Sequence, residues 1–197
     1  MELEETTKQL INYIKEGDRF SFDKLVSLYE KTVYRICHRF FNNEEDALDA
    51  TQEVFIKVYR YIDKFEGRSS FKTWIYRIAA NTCLTISENK KKEKEGLLQN
   101  MINWWNSITE STPEEKVLEN EERVINKKLV GDCIAKIPEV YRIPLILKDM
   151  EGMALEKISD ILEIPVGTVK SRLNRGRALL HDKIILASSR DATNFIR

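Results

Sequence analysis

The sequence predicts an all-α protein with two helical domains, and three observations support this prediction. Apolar residues recur at spacings of three and four along most of the chain, which is the period of one helix face. Glycine and proline, which interrupt helices, account for only 7 and 4 of the 197 residues. The alternation of apolar and polar residues that marks a half-buried strand is absent from the sequence. The domains are expected at 10–88 and 113–188, with a charged linker at 89–112 between them.

Four helices are expected in the N-terminal half. Their apolar stripes begin at Leu10, Phe22, Ala47 and Phe71. Gly17 ends the first helix, and the pair Asn42-Asn43 ends the second. Asn43 then caps the third helix, because an asparagine side chain can accept a hydrogen bond from a free N–H of the first turn. Ser69 or Ser70 caps the fourth helix in the same way.

The character of the sequence changes after the fourth helix. A mixed charge run occupies 88–95, and Gly96 follows it. The connector at 89–111 can retain helical pieces. Trp104 and Trp105 are adjacent within it, and large exposed apolar groups normally mark a contact site. We therefore expect both tryptophans to bury themselves against a domain or a partner.

Two further helix starts are expected beyond the linker. The run Thr-Pro-Glu-Glu at 112–115 combines a capping threonine, a proline at the first helical position and a glutamate three residues after the cap. Pro138 opens the next helix. Pro144 lies about two turns further on, and it should cost that helix a hydrogen bond or bend it, because proline has no N–H.

The end of the chain has the pattern of a helix-turn-helix. Apolar residues at helical spacing over 155–162 form a supporting helix, and Glu163 and Ile164 form the turn. Val169 and Leu173 then mark the buried stripe of a second helix. The outward side chains of that helix are cationic or amide-bearing: Lys170, Ser171, Asn174 and Arg177, flanked by Arg172 and Arg175. Such groups bind phosphates and base edges in a major groove. The alternative is a cationic helix that contacts only water.

Charge is balanced overall but unevenly placed. Lysine plus arginine and aspartate plus glutamate each number 32, so the formal net charge is zero. Acidic residues crowd the first fifty positions and 110–122, whereas basic residues crowd 68–94 and 170–177. This pattern favours a protein that a partner delivers to DNA, or one whose own acidic parts keep DNA away.

Several functional classes are disfavoured by the residues that carry chemistry. Cys37, Cys83 and Cys133 are far apart, and His38 and His181 are isolated, so neither zinc nor a disulfide framework is indicated. Each cysteine is expected to be a small buried side chain in a reducing compartment. We find no nucleophile–base pair, phosphate-binding loop or metal cluster, and therefore expect no enzyme and no cofactor. Without a signal peptide or a membrane-length apolar run, a cytoplasmic protein without membrane insertion is expected.

Two sets of segments resemble one family, the bacterial RNA polymerase sigma factors. In the C-terminal half, 137–142, 151–153 and 165–173 resemble sigma region 4, the DNA-binding domain of sigma-70 family members. In the N-terminal half, 46–55 resembles the core-binding helix of sigma region 2, and 71–81 resembles its promoter-opening segment. The pattern Phe-x-Thr-Trp-x-Tyr-Arg-Ile-Ala-x-Asn at 71–81 is specific to the two-domain extracytoplasmic-function (ECF) subfamily. The resemblance implies promoter-specific initiation of transcription, for an envelope or stress response, without catalysis by this chain.

The resemblance implies that the third helix grips the β′ clamp of core RNA polymerase. Its spacing places acidic and amide groups on one polar face: Asp46, Asp49, Gln52 and Glu53. Such a face can pair with basic groups of a partner, and the electrostatics would set register and association rate. A solvated helix face is the alternative.

The resemblance also implies that the loop at 65–70 and the next helix open the −10 promoter element by holding unstacked bases. Phe65 would stack on a base. The candidate phosphate ligands are Arg68, Ser69, Ser70 and Lys72. Asn81 would bond a base edge or tie down the loop. Phe71 and Trp74 are better explained by core packing, because they share a helical stripe with Ile75 and Ile78.

The resemblance implies that the C-terminal domain reads the −35 element of promoter DNA. Thr168 is a further candidate contact, because it lies in the segment 165–173 that resembles sigma region 4. A hydrophobic back formed by Leu145, Ile146 and Ile161 would seat the β flap of the polymerase. The resemblance further implies an anti-sigma factor between the domains. Candidate contacts for it are Tyr29, Phe41, Trp104 and Trp105.

Two other functions remain open at this point. A dimeric helix-turn-helix repressor or activator would bind duplex DNA without joining core polymerase, and would need its own dimer helix and two half-sites. A helical adaptor would use the cationic helix to bind protein. Co-purification with core polymerase tests the first alternative, and salt dependence tests the second, since DNA binding weakens steeply with salt.

Overall fold

A computed structural model describes residues 2–105 and 122–194, with side chains at 3–93 and 129–187. Every element in these ranges is helical, which confirms the all-α prediction. The α-helices are α1 (Glu2–Lys15), α2 (Arg19–Phe41), α3 (Glu44–Tyr61), α4 (Phe71–Trp105), α5 (Glu122–Ala135), α6 (Glu139–Leu145), α7 (Leu155–Leu162) and α8 (Val166–Asn194). A 3-10 turn, Ile62–Lys64, follows α3, and a π-helical segment, Ile146–Met150, follows α6.

Helices α1 to α4 form the N-terminal domain around a core in which α2 contacts each of the other three. The predicted capping residues are confirmed. Asn43 accepts a hydrogen bond from the N–H of Asp46 at 2.9 Å, and Ser70 accepts one from the N–H of Thr73 at 3.2 Å. Asn42 adopts the left-handed conformation that ends α2, with φ of 51°. Local polar chemistry therefore sets the boundaries of these helices.

Helix α4 is longer than the sequence pattern predicts. It continues through the charge run to Trp105, so the first part of the expected connector is helical. Lysine and glutamate are good helix formers, and this favours the continuation through the charge run. The side chains of Trp104 and Trp105, the rest of the linker and the helix start predicted at 112–115 lie outside the described residues.

The prediction that Pro144 disturbs its helix is confirmed, and the disturbance takes the form of a change in hydrogen-bond register. Pro144 lies within α6, and the chain then enters the π-helical segment. There the N–H of Glu151 donates to the carbonyl of Ile146, five residues earlier, at 3.0 Å. Gly152, with φ of +68°, then turns the chain towards α7.

The helix-turn-helix consists of α7 and α8. Glu163 adopts a left-handed conformation with φ of 53° at the turn. The Ser159 hydroxyl donates to the carbonyl of Ile164 at 2.5 Å and holds the turn closed. Val169 and Leu173 bury the inner stripe of α8. A Cβ at Gly176 would lie 3.1 Å from the carbonyl oxygen of Tyr141, so α8 crosses α6 closely at this glycine.

The C-terminal domain, α5 to α8, packs directly against the N-terminal domain. Glu151 is the centre of one contact: it accepts two hydrogen bonds from Arg35, at 2.9 and 2.8 Å, and it also pairs with Arg39. Arg77 of α4 reaches α7, where it binds the carboxylate of Glu163 at 2.8 Å and the carbonyl of Asp160 at 2.7 Å. These contacts hold α7 and the π-helical segment on α4 and α2.

A bilayer-spanning helix requires about 20 consecutive apolar residues. None of the helices within 2–105 and 122–194 provides such a stretch.

Candidate nucleic-acid interface

The outward face of α8 is free to meet a ligand. Lys170, Ser171, Asn174 and Arg175 are exposed, while Thr168 and Arg172 are half-buried. The opposite face is fixed, because Val169 and Leu173 are in the core. The N-terminal half of α8 is therefore a rigid helix that presents cations, a hydroxyl and an amide together. This is the set of groups that reads base edges and phosphates in a major groove.

Arg177 and Ser171 have partners within their own domain. The Arg177 guanidinium forms two hydrogen bonds to the carboxylate of Asp149, at 2.9 and 2.5 Å, and these bonds raise its pKa. It therefore ties α8 to the π-helical segment in this conformation. The Ser171 hydroxyl donates to the carbonyl of Thr168 at 2.9 Å, an exposed contact that it can exchange for another acceptor.

The loop before α4 is held at both ends. Phe65 is half-buried, and its ring packs against Phe71 and Trp74 at centroid distances of 5.6 and 5.3 Å. Its carbonyl accepts a hydrogen bond from Lys15 of α1 at 2.8 Å. Ser70 is occupied as the cap of α4. The core-packing interpretation of Phe71 is confirmed, since this residue is buried.

The remaining candidates on this surface face solvent to different degrees. Arg68 is exposed and pairs with Glu66 at 2.5 Å. Lys72 is exposed, with its ammonium 5.6 Å from the ring centroid of Tyr76. Asn81 is exposed on α4, and Ser69 is half-buried. The structure thus places three polar groups of different chemistry along the loop and the adjoining helix.

The polar face of α3 carries the residues predicted to bind core polymerase. Asp49 and Gln52 are exposed on it. Asp46 pairs with Lys90 of α4, and Glu53 pairs with Lys57 at 3.5 Å. The exposed members of the predicted set are therefore Asp49 and Gln52, whereas the other two carboxylates have cationic neighbours within the domain.

A groove of about 950 Å³ adjoins this face, and the sequence analysis did not identify it. Gln52 lies on its wall. Its apolar lining comes from α2 and α3: Phe22, Val26, Phe55, Ile56 and Tyr59. The signal in the sequence was that Ile56 and Tyr59 fall outside the buried stripe of α3; both are half exposed. Apolar side chains beside polar ones are typical of the centre and rim of a protein interface.

Two sequence expectations about partner-binding residues are wrong. Leu145, Ile146 and Ile161 do not form an exposed hydrophobic back, because all three are buried in the core. Tyr29 is also buried, with its hydroxyl 3.1 Å from that of Thr7 and its ring packed edge-on against Phe71. Helical periodicity marked these positions as apolar, but it does not distinguish a buried stripe from a docking surface. Phe41 is half-buried.

The domain contact contains residues that the sequence analysis did not assign a function. Arg77 belongs to the segment predicted to open the promoter, yet α7 of the C-terminal domain holds it. Its Nε is buried and finds no hydrogen-bond partner among the described residues. Part of the candidate −10 surface is therefore covered by the domain that carries the candidate −35 helix.

Comparisons with known proteins agree with this two-domain arrangement. The family model for sigma-70 region 2 matches residues 25–92, and that for sigma-70 region 4 matches residues 127–180. The chain is 35% identical to the ECF RNA polymerase sigma factor SigW of Bacillus subtilis over 92% of this chain and 98% of that protein. It is also 35% identical to an ECF RNA polymerase sigma-E factor of Haemophilus influenzae, over 91% of this chain and 95% of that one.

Solved structures share the fold. The chain is similar to CnrH in complex with the cytosolic domain of CnrY, with a TM-score of 0.64, 18% identity, and coverage of 93% of this chain and 98% of that one. It is also similar to the sigma factor RpoE in complex with the anti-sigma factor NepR from Bartonella quintana, with a TM-score of 0.60, 20% identity, and coverage of 83% and 96%. Its helix-turn-helix, its region 2 helices and its identity to full-length relatives show that the chain belongs to the ECF group of RNA polymerase sigma factors.

Proposed function

We propose that this sigma factor binds core RNA polymerase through its N-terminal domain and directs it to promoters whose −35 element α8 reads. The observation that carries the proposal is the exposed polar face of α8 on a helix whose other face is buried. That geometry allows the helix to enter a major groove without unfolding any part of the domain.

The proposed −35 contacts are Thr168, Lys170, Ser171, Arg172, Asn174, Arg175 and Arg177. Lys170 and Arg175 are both exposed, and each can bind a phosphate or the O6 and N7 atoms of guanine. Asn174 supplies the donor and acceptor that match adenine. Arg177 would have to exchange Asp149 for a DNA group. We assign it to the edge of the interface for that reason.

The proposed −10 contacts are Phe65, Arg68, Ser69, Ser70, Lys72 and Asn81. Arg68, Lys72 and Asn81 are the accessible members and suit a single-stranded backbone and its bases. Phe65 and Ser70 support the loop, the first through ring packing and the second through the cap of α4. Base stacking on Phe65 would require its ring to leave Phe71 and Trp74.

The proposed surface for the β′ clamp combines the face of α3 with the apolar groove beside it. Asp49 and Gln52 provide charge and hydrogen bonds, and Ile56 and Tyr59 provide apolar area that water now covers. Asp46 and Glu53 would join after exchanging their lysine partners. We also propose contact with the β flap. Leu145, Ile146 and Ile161 take no part in it, because they are buried.

The remaining parts of the proposal concern organisation and context. We propose domains at 10–88 and 113–188 with a linker at 89–112, no catalytic activity, and action in the cytoplasm. An anti-sigma factor is a proposed partner, since two structural relatives were solved with CnrY and with the anti-sigma factor NepR.

Assembly with core polymerase tests the proposal against the dimeric repressor. The purified chain is mixed with core polymerase, and the complex is measured by size-exclusion chromatography. We expect stoichiometric co-elution, and a loss of at least tenfold in affinity for Asp49→Lys. The matched control is Glu5→Lys, which makes the same charge change at an exposed position of α1. A chain that dimerises on DNA and never co-elutes with core polymerase contradicts the proposal.

A further inference from the structure

Two of the three cysteines meet in the core of the N-terminal domain, contrary to the expectation that each is isolated. The Sγ atoms of Cys37 in α2 and Cys83 in α4 lie 3.8 Å apart. Both side chains are fully buried, and the thiols are free. Cys133 is buried in α5 and has no part in this pair. Two thiols in van der Waals contact, on different helices, form a different chemical group from two separate core cysteines.

The thiol pair lies one helical turn from the place where the C-terminal domain docks. Three residues after Cys37, the carbonyl of Phe40 accepts a hydrogen bond from Arg142 at 3.0 Å. Four residues after Cys83, the hydroxyl of Ser87 donates to Glu139 at 2.9 Å. The Phe40 carbonyl and the Ser87 hydroxyl therefore lie in the helical turns that directly follow Cys37 and Cys83. Residues of α6 therefore contact α2 and α4 within one turn of the two thiols.

The hydrogen bond between the thiols makes them unequal. The S–H of Cys83 donates to the sulfur of Cys37, and this bond lowers the pKa of Cys37. The same bond, together with burial, raises the pKa of Cys83 well above its usual value. The thiolate is the reactive form of cysteine, so we assign the attack on the oxidant to Cys37 and the resolving step to Cys83.

We propose that Cys37 and Cys83 are an oxidisable dithiol, which a hydroperoxide converts into a disulfide when the C-terminal domain undocks. In the first step the thiolate of Cys37 attacks one oxygen of hydrogen peroxide. The O–O bond breaks, Cys37 becomes a sulfenic acid, and the hydroxide that leaves takes up a proton to form water. Cys83 then loses its proton and attacks the sulfenic sulfur, and a second water leaves. The dithiol loses two electrons and two protons, and the peroxide is reduced to two waters.

The disulfide would covalently join α2 to α4 just before the residues that hold α6. Docking and oxidation are therefore coupled: a docked C-terminal domain shields the dithiol, and a disulfide fixes the relative position of the two helices on which the domain docks. The alternative is that the two thiols are inert core side chains whose contact has no chemical consequence.

Peptide mapping of the full-length protein distinguishes these possibilities. The reduced, folded chain is treated with hydrogen peroxide, digested without reductant and analysed by mass spectrometry. We expect a peptide pair that links Cys37 to Cys83 and has lost two hydrogen atoms. Cys133→Ala should give the same linked pair. In Cys83→Ser, a sulfenic acid at Cys37 should accumulate and be trapped by dimedone.

The rate of disulfide formation tests whether the docked C-terminal domain shields the two thiols. Glu151→Gln weakens docking without touching either thiol, and it should form the disulfide severalfold faster than the parent. Glu156→Gln makes the same change at an exposed position of α7 and should match the parent rate. Thiols that react only in denaturant, or a linkage that always includes Cys133, would overturn the dithiol. Equal rates in Glu151→Gln and the parent would overturn the shielding.

Discussion

Arg142 is a buried cation that forms no ion pair with a carboxylate of the described residues. Its guanidinium donates instead to backbone carbonyls: to Ala135 at 2.5 Å, to Ile137 at 3.0 and 2.7 Å, and to Phe40 at 3.0 Å. It also lies 4.8 Å from the ring centroid of Phe40. Burial lowers its pKa, but an arginine remains protonated. One side chain thus satisfies the carbonyls at the end of α5 and connects the two domains.

Replacement of Arg142 should destabilise the protein more than replacement of any exposed arginine. Hydrogen bonds to charged groups contribute about 1.5–3 kcal/mol each, and the carbonyls left behind lose their partner. We expect Arg142→Met to reduce the free energy of unfolding by about 2–4 kcal/mol on this basis, measured by urea unfolding of the full chain. Arg175→Met, at an exposed position, should change it by less than about 0.5 kcal/mol. Equal effects of the two substitutions would contradict the role given to Arg142.

The raised pKa of Tyr76 predicts how the stability of the fold responds to alkaline pH. Burial, reinforced by the negative charge of Glu151, raises the pKa of its phenol to about 12 from an unperturbed 10.0. The folded state therefore holds this proton after the unfolded state has lost it. The stabilisation is complete below pH 10 and is lost as the pH rises through about 12. Tyrosinate absorbance of the parent should show this late titration, and that of Tyr76→Phe should lack it. A difference between the two curves that lies at the unperturbed value would contradict the prediction.

At the scale of the elements, polar residues that cap helices predicted helix boundaries better than the apolar stripes did. Asn43, and either Ser69 or Ser70, were predicted as caps because such side chains can satisfy N–H groups of the next turn. The structure confirms Asn43 and shows that Ser70 is the cap of α4. The helix-turn-helix was predictable for the same reason. The helix α7, the turn at Glu163 and the buried stripe of α8 depend on residues close together in sequence.

The elements that sequence analysis missed depend on contacts or registers that are not local. Helical pieces were expected in the connector past 88, but the charge run gave no sign that they would continue α4 as one helix. Pro144 predicted a disturbance, but its π-helical form is decided by packing around the following turn. The apolar groove needs both α2 and α3, so neither helix reveals it alone. The Cys37–Cys83 contact likewise depends on the packing of α2 against α4.

We propose that the N-terminal domain binds core polymerase and that α8 reads the −35 element. This division of labour predicts the effect of neutralising the cations of α8. We expect the combined substitution Lys170→Gln, Arg172→Gln and Arg175→Gln to abolish promoter-specific initiation and to leave the affinity for core polymerase within about twofold. Loss of three cations would remove the proposed phosphate contacts and base readout of this helix and would not alter the α3 face. Run-off transcription and size-exclusion chromatography measure the two properties.

The matched control for that substitution removes three exposed lysines elsewhere, Lys8, Lys31 and Lys136. This control has the same net charge as the α8 variant and should retain initiation. Reduced affinity for core polymerase in the α8 variant, but not in the control, would contradict the division of labour.

At the scale of the whole molecule, we expect the proposed promoter contacts to separate the two domains. Elements centred near −10 and −35 are about 25 base pairs apart, or ~85 Å of duplex at ~3.4 Å per base pair. In the docked arrangement, Arg77 of α4 holds α7 through Glu163 and Asp160. When both elements are bound at once, we expect α7 to leave α4, which would also free Arg77 for the proposed −10 surface.

Docking was not predictable from the sequence. Arg35 and Glu151 are 116 positions apart and lie in segments whose patterns show only solvent-facing charge. Ion pairs between surfaces leave no periodic signal, in contrast to an apolar stripe. The family resemblance identified both domains but gave no contact between them.

Glu151 is the residue with which docking can be tested. Its side chain is only 5% exposed and pairs with Arg35 and Arg39. We expect Glu151→Gln to shift the free chain towards open forms, because the neutral amide cannot balance two arginines. Small-angle X-ray scattering should then give a larger radius of gyration than for the parent. Glu156→Gln should leave the scattering unchanged, and an unchanged curve for Glu151→Gln would show that this contact does not hold the domains together.

The most direct test of the account is transcription in vitro by core polymerase with this chain and a pool of genomic fragments, read as start sites. We expect starts at defined positions that share sequence elements near −10 and −35, and we expect these starts to disappear with the α8 variant. Start sites that do not differ from those of core polymerase alone, with no inhibitory partner in the reaction, would contradict it.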